Sequence, residues 1–259
     1  MTNPHGTFIW YELMTADPAK ARRFYEGVVG WQIDAEGMPG MDYRIIHAGD
    51  GQAGGMLTLN EDMRQNGARP VWLGYVGVDD VDRSVTAIQA KGGRTVMPAR
   101  DIPGVGRLAM VADPKGAVFY VMRGASDEDS KAFARDRVGH CAWNELATTD
   151  PAGALAFYTE LFNWTDGGSM PMGELGKYQF LNQSDGMIGA ISPVMGEAVH
   201  PIWTYYFRVA DIDHAAAQIK TLGGKLLHGP HEVPGGDFII IGQDPEGATC
   251  AFVGARNHA

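Results

Sequence analysis

The sequence of 259 residues is long enough for two domains of ordinary size, each with its own hydrophobic core. Hydrophobic residues make up 45% of the chain and charged residues 20%, a composition that excludes an intrinsically disordered or fibrous protein. The formal net charge of -10 at pH 7, without any basic segment carrying interleaved aromatic residues, argues against nucleic acid as a partner.

The N-terminus carries no basic segment followed by an apolar run, and no segment approaches the roughly 18 apolar residues that a membrane helix needs. We therefore expect a cytoplasmic protein that does not contact a membrane. Cys141 and Cys250 form no CxxC motif, and two thiols are too few for a disulfide framework or a multi-cysteine metal site. Both are predicted to be reduced thiols.

The first half of the chain alternates strand and helix signals. Residues 8–14 are mostly apolar and predict a strand, after which Asp17 and Pro18 predict the start of a helix and Gly30 its end. The elements predicted next are strands over 43–48, 54–59 and 72–78, a helix over 80–91, and strands near 107–111 and 117–122. Asp113 and Pro114 predict a tight turn between the last two strands.

The second half repeats this pattern. Trp10 and Glu12 recur as Trp143 and Glu145, 133 positions later, and further on Trp72 recurs as Trp203, 131 positions later. Collinear matches over a whole half indicate a duplication. We therefore predict two domains, at residues 6–123 and 139–254, joined over 124–138 by a charged segment that is poor in large apolar residues and is expected to be an exposed linker.

The conserved spacing within each copy also resembles a known family. The residues that carry the resemblance are Trp10-Tyr11-Glu12-Leu13, Asp17-Pro18, Ala21, Phe24-Tyr25, Gly30-Trp31, Val78-Asp79-Asp80-Val81, Gly92-Gly93 and Asp113-Pro114-Lys115-Gly116. The pattern resembles the vicinal-oxygen-chelate (VOC) superfamily, which contains glyoxalase I, bleomycin-resistance proteins and extradiol dioxygenases. The resemblance implies an α+β fold of tandem domains, each with two βαβββ modules whose curved mixed sheets surround a cavity. Within the superfamily, the tandem arrangement resembles a subgroup of two-domain bacterial proteins labelled hydroxylase or secreted mycobacterial antigen.

Metal-using members of this family take their ligands, usually His or Glu, from four strands, because imidazole and carboxylate groups hold a divalent ion that polarises substrate oxygens. The resemblance places those positions at Trp10, Met56, Leu73 and Tyr120 in the first half and at Trp143, Ala190, Thr204 and Ala251 in the second. Only Tyr120 and Thr204 carry an oxygen, and neither is a usual ligand. We therefore predict no metal and no other cofactor, with a divalent metal held by other ligands as the alternative.

His228 and His231 have a spacing at which two imidazoles can bind zinc. The matching residues of the first half are Met97 and Arg100, so the duplication does not support a metal site. The neighbouring Gly229 and Pro230 predict a surface loop instead.

Strand alternation places Trp10 and Glu12 on one face, and Trp143 and Glu145 on the matching face of the second copy. The resemblance implies that these faces border the cavities. A tryptophan at the position of a lost ligand offers a flat surface for a planar or cationic ligand, or it fills the core.

Glu12 and Glu145 are the candidate catalytic residues, because a carboxylate in a partly apolar cavity has a raised proton affinity and can act as a general base. The alternative is that each accepts a buried hydrogen bond. Tyr43, Tyr120 and Tyr178 are further candidates for ligand binding, as are Gln179 and Asn182.

Two functions are compatible with these residues. The first is metal-independent binding or sequestration of a small organic molecule, with Trp10 and Trp143 stacking on it and Glu12 and Glu145 orienting it. The second is an enzyme, either a metal-dependent lyase of the glyoxalase (lactoylglutathione lyase) type or an oxygenase, or one that uses a glutamate as base. The expected partner is a small organic molecule in both cases, and the sequence does not determine the oligomeric state.

Overall fold

The structure is a computed structural model that describes residues 3–38, 40–184, 186–194 and 200–257. The elements of the first half are β1 (Phe8–Thr15), α1 (Pro18–Val29), β2 (Gln32–Ile33), β3 (Tyr43–Ala48), β4 (Gly51–Thr58), α2 (Glu61–Gln65), β5 (Val71–Gly77), α3 (Val81–Ala90), β6 (Arg94–Ile102), β7 (Gly106–Ala112) and β8 (Val118–Gly124). Those of the second half are β9 (Cys141–Thr148), α4 (Pro151–Phe162), β10 (Thr165–Pro171), β11 (Lys177–Gln183), β12 (Gly186–Pro193), β13 (Ile202–Arg208), α5 (Ile212–Thr221), β14 (Lys225–Glu232), β15 (Phe238–Gln243) and β16 (Thr249–Gly254). Within these described ranges, every helix is too short or too polar to cross a membrane.

The strands form two eight-stranded sheets with the same topology. Their orders are β2-β3-β4-β1-β5-β8-β7-β6 and β10-β11-β12-β9-β13-β16-β15-β14. Parallel pairs, such as β1 with β4 and β5 with β8, occur beside antiparallel hairpins, so the sheets are mixed. Each quarter of the chain contributes one βαβββ module, in which a helix follows the first strand. The predicted α+β architecture with two modules in each half is confirmed.

The chain divides into two compact units that do not follow the order of the halves. We call the units inner and outer by the order of their modules along the chain. The inner unit, which holds the two middle modules, contains the chain up to Ile9, Gly74–Ser130 and Trp143–Thr204. The outer unit contains Trp10–Leu73, Lys131–Ala142 and the chain from Tyr205 onward. Each unit therefore combines one module of the first half with one module of the second, and each is described by itself below.

The capping residues in the sequence correctly predicted where helix α1 begins and ends. The Asp17 side chain accepts a hydrogen bond from the Lys20 backbone N–H at 3.0 Å and caps α1, and Gly30 ends the helix in the left-handed conformation with a φ of 82°. The short elements β2 and α2 were not predicted. Strand β6 was also missed, because its residues alternate between exposed and half-buried and include Pro98. Proline is tolerated there since β6 is an edge strand.

His228 and His231 lie on β14, which is the corresponding edge strand of the second sheet. The prediction of a loop was therefore wrong, for the same reason as in β6: an exposed edge strand lacks the apolar pattern of a core strand. Both histidines are exposed. Bulges in the pairing with β15 on both sides of His228 bring the two rings to a centroid separation of 4.6 Å.

The segment between the halves is exposed over residues 125–129. Beyond it, Ala132 is fully buried, which the linker prediction did not anticipate. In the outer unit the buried His140 ring donates from Nδ1 to the Lys131 carbonyl at 2.6 Å, and its Nε2 lies 2.6 Å from an Asp50 carboxylate oxygen. These contacts hold the end of the segment against the outer unit, so only its first part is a solvated connection.

A buried hydrogen-bonded brace occurs once in each unit. In the inner unit the Tyr158 hydroxyl donates to Asp113 at 3.1 Å and accepts from the Trp203 indole N–H at 3.0 Å. The same three residue types occur in the outer unit, where Tyr25 donates to Asp244 at 3.1 Å and accepts from Trp72 at 2.9 Å. Both aspartates lie in the predicted Asp-Pro turns. The brace therefore ties a turn of one half to a helix of the other.

The two cysteines are free and buried. Burial, followed by the charge of Asp244, raises the pKa of the Cys250 thiol well above its usual range. A thiol of this kind stays protonated and is a poor nucleophile, so Cys250 belongs to the packed core of the outer unit.

Candidate functional site

The inner unit contains a hydrogen-bonded cluster of Trp143, Tyr178 and Glu145, here called the inner cluster. The Trp143 indole N–H donates to the Tyr178 hydroxyl at 2.8 Å, and that hydroxyl donates to a Glu145 carboxylate oxygen at 2.5 Å. Phe180 lies edge-on to both rings, at centroid separations of 6.2 Å from Trp143 and 5.6 Å from Tyr178. The cluster therefore presents aromatic surface beside a carboxylate.

The outer unit contains the same arrangement in Trp10, Tyr43 and Glu12, here called the outer cluster. The Trp10 indole N–H donates to the Tyr43 hydroxyl at 2.6 Å, and Tyr43 is hydrogen-bonded to Glu12. Burial, followed by the charge of Glu12, raises the pKa of Tyr43 well above its usual range. Tyr43 therefore remains a hydrogen-bond donor at neutral pH. In both clusters the interpretation that the glutamate accepts a hydrogen bond from a tyrosine agrees with the observed contact.

Strand pairing explains why three residues that are distant in sequence meet. Trp143 and Glu145 lie two apart on β9 and so point to the same face. Glu145 is paired with Ala190 of β12, which is paired in turn with Phe180 of β11. Tyr178, two residues before Phe180, therefore reaches across the short Ala190 side chain toward β9. The duplication produces the equivalent geometry in the outer unit, where Glu12 is paired with Gly55.

The two clusters differ in how far solvent reaches them. Along β9 the residues alternate, so that Trp143, Glu145 and Ala147 are half-buried between fully buried neighbours. Along β1 the alternation is lost, because Glu12 is only 2% exposed and Met14 is also buried. The inner cluster is therefore accessible on the face that carries its glutamate, whereas the outer glutamate is covered.

Gly55 accounts for part of this cover. A Cβ atom at Gly55 would lie 2.2 Å from the Tyr43 hydroxyl oxygen and 2.4–2.5 Å from ring carbons of Tyr43, so the ring lies directly on the β4 backbone. Glu12 is the residue paired with Gly55 on β1, and the ring covers it. Strand pairing aligns Gly55 with Ala190 of the inner unit, which is paired with Glu145, so the match of Ala190 with Met56 made from the sequence was wrong by one residue. The methyl group of Ala190 prevents a contact as close as that of Tyr43 with Gly55.

We expect Gly55→Ala to lower the free energy of unfolding by about 1–3 kcal/mol, because the new methyl group forces Tyr43 away from β4. Equilibrium urea denaturation measures this loss. The matched control is Ala190→Gly, which removes a methyl group instead and should cost only about 0.5–1 kcal/mol through added backbone freedom. Equal effects of the two changes would contradict this account of Tyr43.

Tyr120 lies in the inner unit and not with Trp10, although both positions belong to the first half of the sequence. Its ring is stacked on Tyr75 at a centroid separation of 4.1 Å, and both residues are buried. Cross-strand pairs continue the row from Tyr120 to Met110 and from Met110 to Met97. Tyr75 and both methionines were not predicted as site residues. Tyr75 recurs as Tyr206 in the second half, whereas Met110 and Met97 are matched by Ile241 and His228 and so gave no repeat signal.

Gln179 and Asn182 differ in their roles. The Gln179 side chain donates to the Gly168 carbonyl at 2.7 Å and to the Asp166 carboxylate, so it belongs to the β10–β11 hairpin. Asn182 is two residues beyond Phe180 on β11, and its buried Oδ1 lacks a hydrogen-bond partner among the residues that the structure describes. Asn182 therefore carries a buried acceptor near Phe180, whereas the Gln179 side chain is used within the hairpin.

The side chains at the expected ligand positions do not fit a divalent metal. The indole N–H groups of Trp10 and Trp143 both donate to tyrosines, and an indole N–H is not a metal donor. The remaining positions are occupied by hydrocarbon or thioether side chains, by the stacked Tyr120 and by Thr204. Over the described part of the chain, groups of three or more His, Cys, Asp or Glu side chains arranged to hold a metal ion are absent.

A depression of about 350 Å³ in the inner unit lies away from the inner cluster. It is bordered by the end of α3, the Asp113 turn and the start of α4. Its charged groups are already paired, Lys115 with Asp150 at 3.4 Å and Lys91 with Glu160. This depression is therefore a salt-bridged groove on the helical side and not the counterpart of the Trp143 face.

Known proteins resemble this chain over its whole length. "Putative glyoxylase CFP32" of Mycobacterium tuberculosis (strain CDC 1551 / Oshkosh) is 32% identical over 256 residues, which cover 94% of this chain and 92% of the relative. "Anthracycline biosynthesis protein DnrV" of Streptomyces peucetius is 26% identical over 262 residues, which cover 97% of this chain and 94% of the relative.

Solved structures share the fold at lower identity. The Mn(II)-bound glyoxalase from Novosphingobium aromaticivorans superimposes with a TM-score of 0.65 at 17% identity, covering 98% of this chain and 83% of its own. The 2,3-dioxygenase LapB from Pseudomonas sp. KL28 superimposes with a TM-score of 0.66 at 13% identity, covering 100% and 95%. A family model, described as Glyoxalase/Bleomycin resistance protein/Dioxygenase superfamily, matches residues 7–121 and again residues 137–252. Because one family model accounts for both halves, the chain belongs to the glyoxalase/bleomycin resistance protein/dioxygenase superfamily and carries two copies of its domain.

Proposed function

We propose that this protein binds a small organic molecule with a flat ring system, without a metal, at its Trp–Tyr–Glu clusters. The observation that carries the proposal is the position of Trp143. The family resemblance implies a metal ligand at this position, where this chain has an aromatic ring whose only polar atom is already used by Tyr178 at 2.8 Å. What remains of the half-buried indole is apolar aromatic surface, and flat rings stack on such surfaces.

The neighbouring groups favour a ligand with a hydrogen-bond donor or an amine. The Glu145 carboxylate lies at the edge of the aromatic surface, where the Tyr178 hydroxyl holds it at 2.5 Å. A carboxylate in a partly apolar setting attracts a cation or a donor strongly, because the surroundings screen the charge less than water does. The aromatic surface supplies affinity and the carboxylate supplies orientation.

The names of two relatives support the same ligand class. DauV of Streptomyces sp. (strain C5) and DnrV of Streptomyces peucetius are called anthracycline biosynthesis proteins. An anthracycline has a flat ring system, and many carry an amino sugar, so this class matches an aromatic surface beside a carboxylate. The Mn(II)-bound glyoxalase shares the fold at only 17% identity, and the donor set described above differs from what a metal requires.

Daunorubicin, a fluorescent anthracycline with an amine, is a direct probe for this proposal. Protein dialysed against EDTA, and shown by elemental analysis to hold far less than one divalent ion per chain, is titrated with daunorubicin while its tryptophan emission is recorded. We expect saturable quenching that added Mn²⁺ or Zn²⁺ does not change.

Two results would overturn the proposal. One is a stoichiometric metal ion whose removal abolishes daunorubicin binding or turnover of a hemithioacetal or a catechol. The other is the lack of saturable quenching by both daunorubicin and its neutral aglycone, which together test the ring system with and without the amine.

A further inference from the structure

We infer that only the inner cluster receives the ligand, and that the outer cluster is a closed copy whose glutamate has become part of the core. This inference rests on the proposed function, because it assigns the ligand to one of the two repeated sites. The duplicated sequence motif alone treats Glu12 and Glu145 as equivalent.

The first observation is the burial of corresponding strand residues. On β9, Trp143, Glu145 and Ala147 are all half-buried, which leaves a continuous accessible strip on one face. On β1 the matching strip begins with Trp10, which is half-buried like Trp143, but it continues with Glu12 at 2% exposure and Met14 at 6% exposure, so the two strips differ at the glutamate and beyond it. Part of Glu145 is open to solvent, whereas a ligand reaches Glu12 only after side chains move.

Two residue differences produce the closure. Met14 stands where the inner unit has Ala147, and its longer side chain is buried, whereas Ala147 is half-buried. Gly55 stands where the inner unit has Ala190, and it allows the Tyr43 ring to lie on β4 beside Glu12. Met14 adds bulk on the strand face that carries Glu12, and Gly55 lets the Tyr43 ring approach the β4 backbone more closely than a methyl-bearing residue such as Ala190 would allow.

The module that accompanies each cluster within its unit also favours a ligand in the inner unit. In the inner unit the cross-strand row consists of Tyr75, Tyr120, Met110 and Met97. In the outer unit the same row consists of Tyr206, Ala251, Ile241 and His228. Polarizable methionine and aromatic side chains adapt to flat ligands better than short aliphatic ones do. The inner unit also has the buried Asn182 acceptor, whose position in the outer unit is His47.

The decisive experiment transfers the closing residue to the inner unit. Ala147→Met copies the outer residue onto the inner strip, and Met14→Ala is the matched control that makes the reverse exchange in the outer unit. Daunorubicin is titrated into each protein by calorimetry and by tryptophan quenching. We expect the parent protein to bind one daunorubicin per chain. Ala147→Met should weaken binding by at least about tenfold, since it occupies the ligand's space, and Met14→Ala should retain the parent affinity.

The melting temperature of each variant, together with the graded variant Ala147→Val, separates blocking from misfolding. A folded Ala147→Val protein with an intermediate affinity supports blocking. Two daunorubicin molecules per chain in the parent, or unchanged affinity in folded Ala147→Met, would overturn the inference while leaving the proposed function intact. Failure of the parent protein to bind daunorubicin or its aglycone would overturn the proposed function, and this inference with it.

Discussion

Replacement of Asp113 by alanine is expected to lower the free energy of unfolding by about 3–5 kcal/mol. Asp113 is 2% exposed. One carboxylate oxygen accepts from the backbone N–H groups of Lys115, Gly116 and Ala117 at 2.8–2.9 Å, and the other accepts from the Tyr158 hydroxyl at 3.1 Å. Alanine leaves these donors without their acceptor in a region that water reaches poorly, and each buried unpaired donor carries a desolvation cost.

Asp113→Asn is the control for this prediction. Its side-chain oxygen can still accept from the turn amides, while its amide group replaces only the acceptor facing Tyr158, so the loss should be less than half of that for alanine. Tyr158→Phe removes the other end of the contact and also the acceptor of the Trp203 indole N–H. Urea denaturation of all three variants apportions the cost. A loss below about 1 kcal/mol for Asp113→Ala would contradict the assignment of this brace as a main support of the inner unit.

Trp143→Ala is expected to weaken daunorubicin binding about 10- to 100-fold, which corresponds to about 1.4–2.8 kcal/mol. The change removes the aromatic surface and also the N–H that anchors Tyr178 at 2.8 Å, so Tyr178 and Glu145 lose part of their alignment. The position is half-buried, which limits the accompanying loss of stability. Fluorescence anisotropy of daunorubicin measures the binding without depending on the deleted tryptophan.

Trp143→Phe separates the two contributions of the tryptophan. Phenylalanine keeps a flat ring but cannot donate to Tyr178. Because we assign most of the binding free energy to stacking, we expect Trp143→Phe to retain most of the affinity that Trp143→Ala loses. A melting temperature close to that of the parent confirms that the variants are folded. Binding of daunorubicin to folded Trp143→Ala with the parent affinity would exclude Trp143 from the ligand site.

Much of the local structure followed from the sequence because its causes are local. Asp17, Pro18 and Gly30 act within one helix, and their capping roles depend on backbone chemistry alone. The edge strands β6 and β14 were missed for the opposite reason. Edge strands bury little apolar surface, so their sequences tolerate proline and exposed charges and lack the alternating pattern of a core strand.

The residues of the two clusters were also predictable, since duplication revealed Trp10, Glu12 and Tyr43 as a set that recurs. The hydrogen bond from tyrosine to glutamate was one of two alternatives, and it needed the register of β11 on β12 and of β12 on β9. Tyr75 and the methionines beyond Tyr120 were missed, because nothing in a single sequence separates such residues from ordinary core.

The amino-acid sequence by itself determined that this protein is a duplicated α+β chain with two Trp–Tyr–Glu sets. A repeat is a property of residue order, and strand and helix signals depend on residues that are close together in the chain. Only the tertiary structure decided which modules form a unit. Tyr120 lies in the unit of Trp143, and Asp113 is bonded to Tyr158 of the other half, since a module buries its apolar face against whichever partner fits it. Tertiary packing also decided that Glu12 is covered while Glu145 remains accessible, because the Tyr43 ring rests on Gly55 beside Glu12 and Met14 is buried on the same strand face.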